Sequence, residues 1–112
     1  MIEKTILNHL SRALDVPCYM ERPADAPDTF VLLEKTGESR ENCISTAILA
    51  VQSYAPTLLE AAELNERVKT AMFNAALPHT VAAVRLNSDY NFTDTAMRNY
   101  RYQAVFDVTH YE

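Results

Sequence analysis

Hydrophobic residues at the start of the chain recur with the spacing of an amphipathic helix. Pro17 disfavours helical backbone at the residue before it, so we expect this helix to span residues 2–14. His9 falls on its polar side. One apolar face is formed by the residues at every fourth position, which are Ile2, Ile6, Leu10 and Leu14.

A second helical pattern follows Pro56. Small and apolar residues hold helical spacing, and acidic residues precede basic ones, as the helix dipole favours. Glu63 and Arg67 stand four residues apart in the order that favours an ion pair. The pattern predicts a helix over residues 57–77, ended by Pro78.

The remaining apolar segments have the character of β-strands. Apolar and polar residues alternate most clearly near the C-terminus, where the run from Tyr100 to Val108 places aromatic and aliphatic side chains on one face. The predicted strands span residues 18–20, 30–36, 42–54, 81–92 and 99–111.

Turn residues separate these strands. Gly37 has free access to positive φ, which predicts a turn over residues 36–41. Residues 22–28, with two prolines and two aspartates, and the polar residues 93–98 are predicted loops. The order α-β-β-β-α-β-β predicts one α+β domain over residues 1–112, with two helices on one face of a mostly antiparallel sheet of about five strands.

Composition and charge exclude several classes of function. Apolar residues make up 48% and charged residues 22%, which is a globular balance. The net charge of −5 disfavours a dedicated nucleic-acid binder, and a single glycine excludes glycine-rich phosphate and dinucleotide loops. Because we find no signal peptide and no membrane-spanning stretch, we expect an intracellular protein without a membrane partner.

The candidate catalytic groups have simpler explanations. A catalytic set could be assigned with Cys43 as nucleophile, His110 as base and Asp107 as orienting acid, but no nucleophile motif supports this assignment. Cys18 and Cys43 are instead expected to be reduced, half-buried thiols. The three histidines and two cysteines have no metal-ligand spacing, so we expect no metal, no cofactor and no enzyme activity.

Two further clusters of side chains each allow two interpretations of their role. Glu34, Glu38 and Glu41 could act as an acid–base set, although a solvated strand end is favoured. An aromatic cluster either stabilises neighbouring strands or forms a protein–protein interface with nearby arginines, and the two interpretations are equally supported. Its aromatic members are Tyr90, Phe92, Tyr100 and Tyr102, and the arginines are Arg98 and Arg101.

Six segments resemble small prophage proteins from the tail-morphogenesis cassette of long-tailed phages of low-GC Gram-positive bacteria. The resemblance covers essentially the whole chain, and the element order also resembles the tail-terminator, or tail-completion, fold. The segments are LDVPCY at 14–19, LEKTG at 33–37, QSYAP at 52–56, AAELN at 61–65, LNSDYNFTD at 86–94 and YRYQAVFD at 100–107.

The resemblance implies a structural protein that caps the tail tube as a homo-oligomeric ring and allows head joining. Its partners would be itself and the phage tail-tube and head-completion proteins, first in the bacterial cytoplasm and then in the virion. Head-closure, head–tail connector and minor capsid proteins of the same cassette are alternatives, followed by a peptide-binding adaptor or an enzyme subunit.

Self-association is expected through sheet edges and the loops beside them. An open sheet keeps two edges, and arginine and aromatic residues are enriched at interfaces. Reversing the charge of an arginine in residues 37–41 or 93–98 should therefore weaken assembly without lowering the melting temperature. The candidate interface residues are Arg40, Glu41, Tyr90, Phe92, Arg98 and Arg101.

Overall fold

The predicted order of helices and strands is present in the computed structural model, which describes residues 1–73, 80–94, 96 and 99–111. The α+β class is confirmed: two helices accompany a five-stranded, mostly antiparallel sheet. The elements are α1 (Ile2–Ala13), β1 (Cys18–Tyr19), β2 (Phe30–Glu41), β3 (Ile44–Ala55), α2 (Leu58–Met72), β4 (Val81–Asn91) and β5 (Tyr100–Tyr111).

Both helices begin and end where local chemistry directs them. Leu14 adopts extended backbone and ends α1 shortly before Pro17. Thr57 caps α2, because its hydroxyl oxygen accepts a hydrogen bond from the amide of Glu60 at 3.2 Å. The observed α2 ends at Met72; residues 74–77 of the predicted helix and Pro78 lie outside the described residues.

The strand order across the sheet is β1-β2-β3-β5-β4. β1 runs parallel to β2, and every other neighbouring pair is antiparallel. The short β1 pairs with Val31 and Leu32, so the rest of that edge of β2 has no strand partner within the described chain. β4 forms the opposite edge. Within the part of the chain that the structure describes, the sheet therefore has two long edges of different sequence that lack a partner strand.

The core lies between the helices and one face of the sheet. Alternate residues of the three central strands point toward the helices, and leucine, valine and phenylalanine predominate among them. The helices contribute their apolar stripes, as the 3.6-residue pattern predicted. The fully buried members with large side chains are Ile6, Leu10, Val31, Leu33, Leu49, Val51, Val68, Met72, Phe106 and Val108.

The predicted turn over residues 36–41 is wrong, because β2 continues to Glu41. The register shifts between Lys35 and Gly37, so the glycine accompanies a bulge and does not take positive φ. The hairpin turns instead at Asn42 and Cys43, whose φ angles are 52° and 66°. Positive φ at both central residues is the requirement of a type I′ turn, which matches the twist of the flanking strands.

The turn also corrects the expected burial of one cysteine. Cys43 is exposed at the tip of the hairpin, whereas Cys18 is half-buried as expected. Burial raises the pKa of the Cys18 thiol, since the thiolate would lose its hydration. Cys18 is therefore held in its protonated, less nucleophilic form.

We predict that Cys43→Gly will stabilise the protein by about 0.5–1 kcal/mol, because a side chain in left-handed backbone is strained and glycine is not. Chemical denaturation of the two proteins would measure the difference. Cys43→Ala is the control: it also removes the thiol but keeps a β-carbon, so it should give no such gain. Equal stabilisation by both variants would contradict the turn geometry.

Polar contacts join the helices to each other and to β4, and two of them differ from the sequence prediction. His9 is buried, not on a polar face, and its Nε2 donates to the Ala71 carbonyl at 2.7 Å. Arg67 pairs with Asp15 instead of Glu63. The hydrogen bond from Arg67, reinforced by its charge, lowers the pKa of Asp15. Tertiary packing places α2 beside α1 and Asp15, which local helical spacing does not reveal.

A carboxylate on β4 anchors α2 at its other side. Asp89 accepts hydrogen bonds from the Asn65 amide and the Lys69 ammonium, both at 2.6 Å. The hydrogen bond that Lys69 donates to Asp89 is the main cause that raises the pKa of Lys69, and a hydrogen bond to Glu66 adds to it. Among the described residues, no helix combines the length and apolar character needed to cross a membrane.

Candidate functional site

The face of the sheet opposite the helices carries two rows of side chains that cross several strands. We call it the open face. In the first row, Phe30 of β2, Tyr54 of β3 and Arg101 of β5 lie directly opposite one another. Directly opposed residues project to the same side of a sheet. The second row consists of Leu32, Gln52, Gln103 and Tyr90, on β2, β3, β5 and β4.

A chain of hydrogen bonds connects the two rows. The Arg101 guanidinium donates to the Tyr54 hydroxyl at 2.7 Å, and that hydroxyl donates to Gln52 Oε1 at 2.9 Å. Gln52 Nε2 donates to Gln103 Oε1 at 2.8 Å, and Gln103 Nε2 donates to the Tyr90 hydroxyl. Both glutamines are 8% exposed, so these bonds satisfy amides that would be costly to bury alone. The network fixes the orientation of the side chains at this end of the open face.

Two arginines lie over the aromatic rings of the first row. The guanidinium carbon of Arg22 is 5.3 Å from the ring centre of Tyr54 and 5.6 Å from that of Phe30. The guanidinium carbon of Arg101 is 5.6 Å from Tyr54 and 4.4 Å from Phe92. Phe30 and Tyr54 are themselves stacked, with ring centres 4.4 Å apart. We call these five residues the arginine–aromatic patch.

The patch presents positive charge on an acidic protein. Within residues 1–73, 80–94, 96 and 99–111, neither Arg22 nor Arg101 forms an ion pair with a carboxylate. Arg101 Nε donates to the Phe92 carbonyl at 2.7 Å, which fixes its position while leaving other N–H groups available. Stacking on the rings restricts both arginines in advance, which reduces the entropy lost when they bind an anion.

The structure divides the predicted interface residues between the two ends of the sheet. Tyr90, Phe92 and Arg101 lie together at the patch end, where the rings of Tyr90 and Phe92 meet edge to face at 5.8 Å. Arg40 and Glu41 lie at the β2–β3 turn, opposite the end of β5. Along β5 the two groups are separated by about 30 Å. Arg98 lies outside the described residues.

The aromatic cluster makes contacts within the sheet, and its role as a protein–protein interface stays a prediction. Tyr90 is joined to Gln103 within the sheet, yet Tyr90 and Phe92 remain 41% and 39% exposed. Tyr100 and Tyr102 are half-buried on the neighbouring strand. Tyr102 stands opposite Ser53 and so faces the helix side, away from Arg101.

One of the three candidate acid–base groups, Glu38, lines a second feature, a cavity of about 430 Å³ at the other end of the sheet. Glu38 lies 3.2 Å from His110 Nε2 and 3.8 Å from Lys35 Nζ, and Lys35 is 3.7 Å from Glu3. Glu34 and Glu41 are exposed and do not line the cavity. The carboxylate of Glu38 thus takes part in a chain of polar contacts that ties β2 to α1 and β5.

The structure gives Cys43, His110 and Asp107 separate surroundings. Cys43 is exposed in the β2–β3 turn. His110 contacts Glu38 through Nε2 and the Tyr111 carbonyl through Nδ1, at 3.2 and 3.4 Å. Asp107 accepts a hydrogen bond from Asn87 at 3.3 Å. Within the described chain, no group of three or more His, Cys, Asp or Glu side chains is arranged to hold a metal ion.

Sequence reasoning missed Arg22, Phe30, Tyr54 and the two glutamines. Gln52 and Tyr54, like Arg101 and Gln103, stand two residues apart in central strands, so each pair shares a face. Polar residues at such spacing in a strand were the available signal. The contribution of Arg22 had no sequence signal, because it comes from a distant loop that folds over the sheet.

The sequence was compared with known protein families and with curated proteins. No protein-family model matches the chain, and no curated protein matches it significantly.

Proposed function

We propose that the protein is a structural component of the neck or tail end of a long-tailed phage. In this role, copies of the chain would form a ring that caps the tail tube and allows the head to join. The resemblance of its sequence segments suggests this role, and one structural observation gives the main support: both edges of the sheet are open over long stretches.

Open edges matter because unpaired backbone groups favour association with another chain. The 11-residue β4 forms one edge, and β2 beyond Leu32 forms the other. The two edges differ in sequence and in side chains. A closed ring requires different surfaces at its two contacts, since each subunit meets one neighbour with one surface and the next neighbour with another. The open face adds a third surface, at which Arg22 and Phe92 of the arginine–aromatic patch are exposed.

Deleting the gene from the phage genome tests the proposal. We expect tails of abnormal length, seen by electron microscopy, and a large loss of infectious particles. A plasmid carrying the wild-type gene should restore both. Tails of normal length that fail to join heads would instead indicate the head-closure or connector role. Normal, infectious particles without the gene would contradict the proposal.

A further inference from the structure

The start of α2 carries a surface that complements the arginine–aromatic patch. Leu59 is 71% exposed, and Glu60 and Glu63 are exposed beside it. Within the described residues neither glutamate forms an ion pair, whereas Glu66, one turn later, is paired with Lys69. We call Leu59, Glu60 and Glu63 the acidic start of α2.

The spacing of this surface suits two guanidinium groups. Glu60 and Glu63 stand three residues apart in a helix and Leu59 is four before Glu63, so Glu63 neighbours both of the others, with β-carbons about 5–6 Å apart. Arg22 and Arg101 lie 5.3 and 5.6 Å from one ring centre, that of Tyr54. Contact with this surface would offer one carboxylate to each guanidinium. Leu59 would then pack near the exposed rings of Phe92 and Tyr90.

The two surfaces of one chain do not meet each other. α2 packs against the helix side of the sheet through Leu64 and Val68, while the patch lies on the open face. No ion pair joins Arg22 or Arg101 to Glu60 or Glu63 within the described chain. Contact between the two surfaces consequently requires two molecules. Because the two surfaces differ, such contacts can repeat head-to-tail around a ring.

We propose that the arginine–aromatic patch of one copy binds the acidic start of α2 of the next copy. The charges favour this occupant: the chain has a net charge of −5, yet the patch holds two arginines without carboxylate partners among the described residues. Buried arginine–carboxylate contacts on an aromatic base are typical of the energetically important parts of interfaces. The inference deepens the proposed function, because it names the surfaces through which copies assemble.

Charge exchange between copies provides the test. Arg22→Glu and Glu63→Lys each place like charges across the contact, so each variant alone should self-associate at least about tenfold more weakly than wild type. An equimolar mixture of the two variants should recover association. The new glutamate at position 22 of one copy then faces the new lysine at position 63 of the next, and the alternate contacts keep the original Arg22–Glu63 pair. The double variant should recover in the same way. Sedimentation equilibrium of the purified chain measures all of these.

A matched control separates the contact from net charge. Arg12→Glu makes the same charge change as Arg22→Glu at an exposed position of α1, away from both surfaces, and it should leave association unchanged. Circular dichroism of every variant checks folding. Both substituted side chains are exposed, and Glu63→Lys lies on a helix, where lysine is well tolerated.

Three outcomes would overturn the inference: a wild-type chain that stays monomeric at all concentrations, single variants that associate normally, or a mixture that does not recover. A monomeric chain whose patch binds an acidic peptide would assign the patch to a different partner. These results are independent of gene deletion. If the contact fails its test but the deletion phage has defective tails, the proposed function stands and only the contact is wrong. If the contact passes its test but the deletion phage has normal tails, the contact stands and the proposed function is wrong.

Discussion

Replacing Phe106 with alanine should lower the free energy of unfolding by about 3–5 kcal/mol. The side chain is fully buried between the sheet and the helices, and its ring meets that of Phe73 edge to face at 5.9 Å. Alanine would leave a cavity in the middle of β5, which the strands on either side hold in place. Urea denaturation followed by circular dichroism measures the loss.

An exposed aromatic residue on the same strand supplies the control for this prediction. Tyr111 is 53% exposed, so Tyr111→Ala should change stability by no more than about 0.5 kcal/mol. A similar loss for both variants would show that Phe106 is not at the centre of the core.

The Gln103→Leu variant should lose about 2 kcal/mol of stability, because it leaves the Gln52 amide nitrogen buried without its acceptor. Leucine has a similar volume, so packing changes little and the lost hydrogen bonds dominate. Gln103 links Gln52 to Tyr90 on the open face, and the two glutamines are 8% exposed.

A double-mutant cycle makes this second prediction specific. With Gln52→Leu and Gln103→Leu together, neither amide is left unpaired, so the double variant should lose less than the sum of the single losses, by about 1 kcal/mol or more. The Tyr54 hydroxyl would still accept from Arg101. Strict additivity would mean that the glutamines do not act through each other.

The order of helices and strands expected from local patterns agrees with the structure. The helices follow from apolar residues at helical spacing, with Pro17 and Thr57 close to their ends. The strands follow from alternation and from β-branched and aromatic residues. The hairpin turn was misplaced, because glycine is the usual residue for positive φ, and here Asn42 and Cys43 adopt it.

The candidate site was foreseen only in part. Alternation along β5 separated Arg101 and Gln103 from the core-facing residues, and the cluster of aromatic residues indicated Tyr90 and Phe92. Neither pattern showed that Tyr54 would lie opposite Arg101, because that depends on the register between β3 and β5. The pairing places residues 47 positions apart in the chain within one hydrogen bond.

The sequence alone thus determined which segments are helix or strand and which faces are apolar, because these depend on periodicities within about 15 neighbouring residues. Only the tertiary structure decided that Arg22 would cover Phe30 and Tyr54, that Arg67 would pair with Asp15, and that His9 would be buried against Ala71. Each of these contacts joins residues from different elements. Their geometry depends on strand register and on how the helices pack over the sheet, and the free energy that selects that arrangement belongs to the whole core.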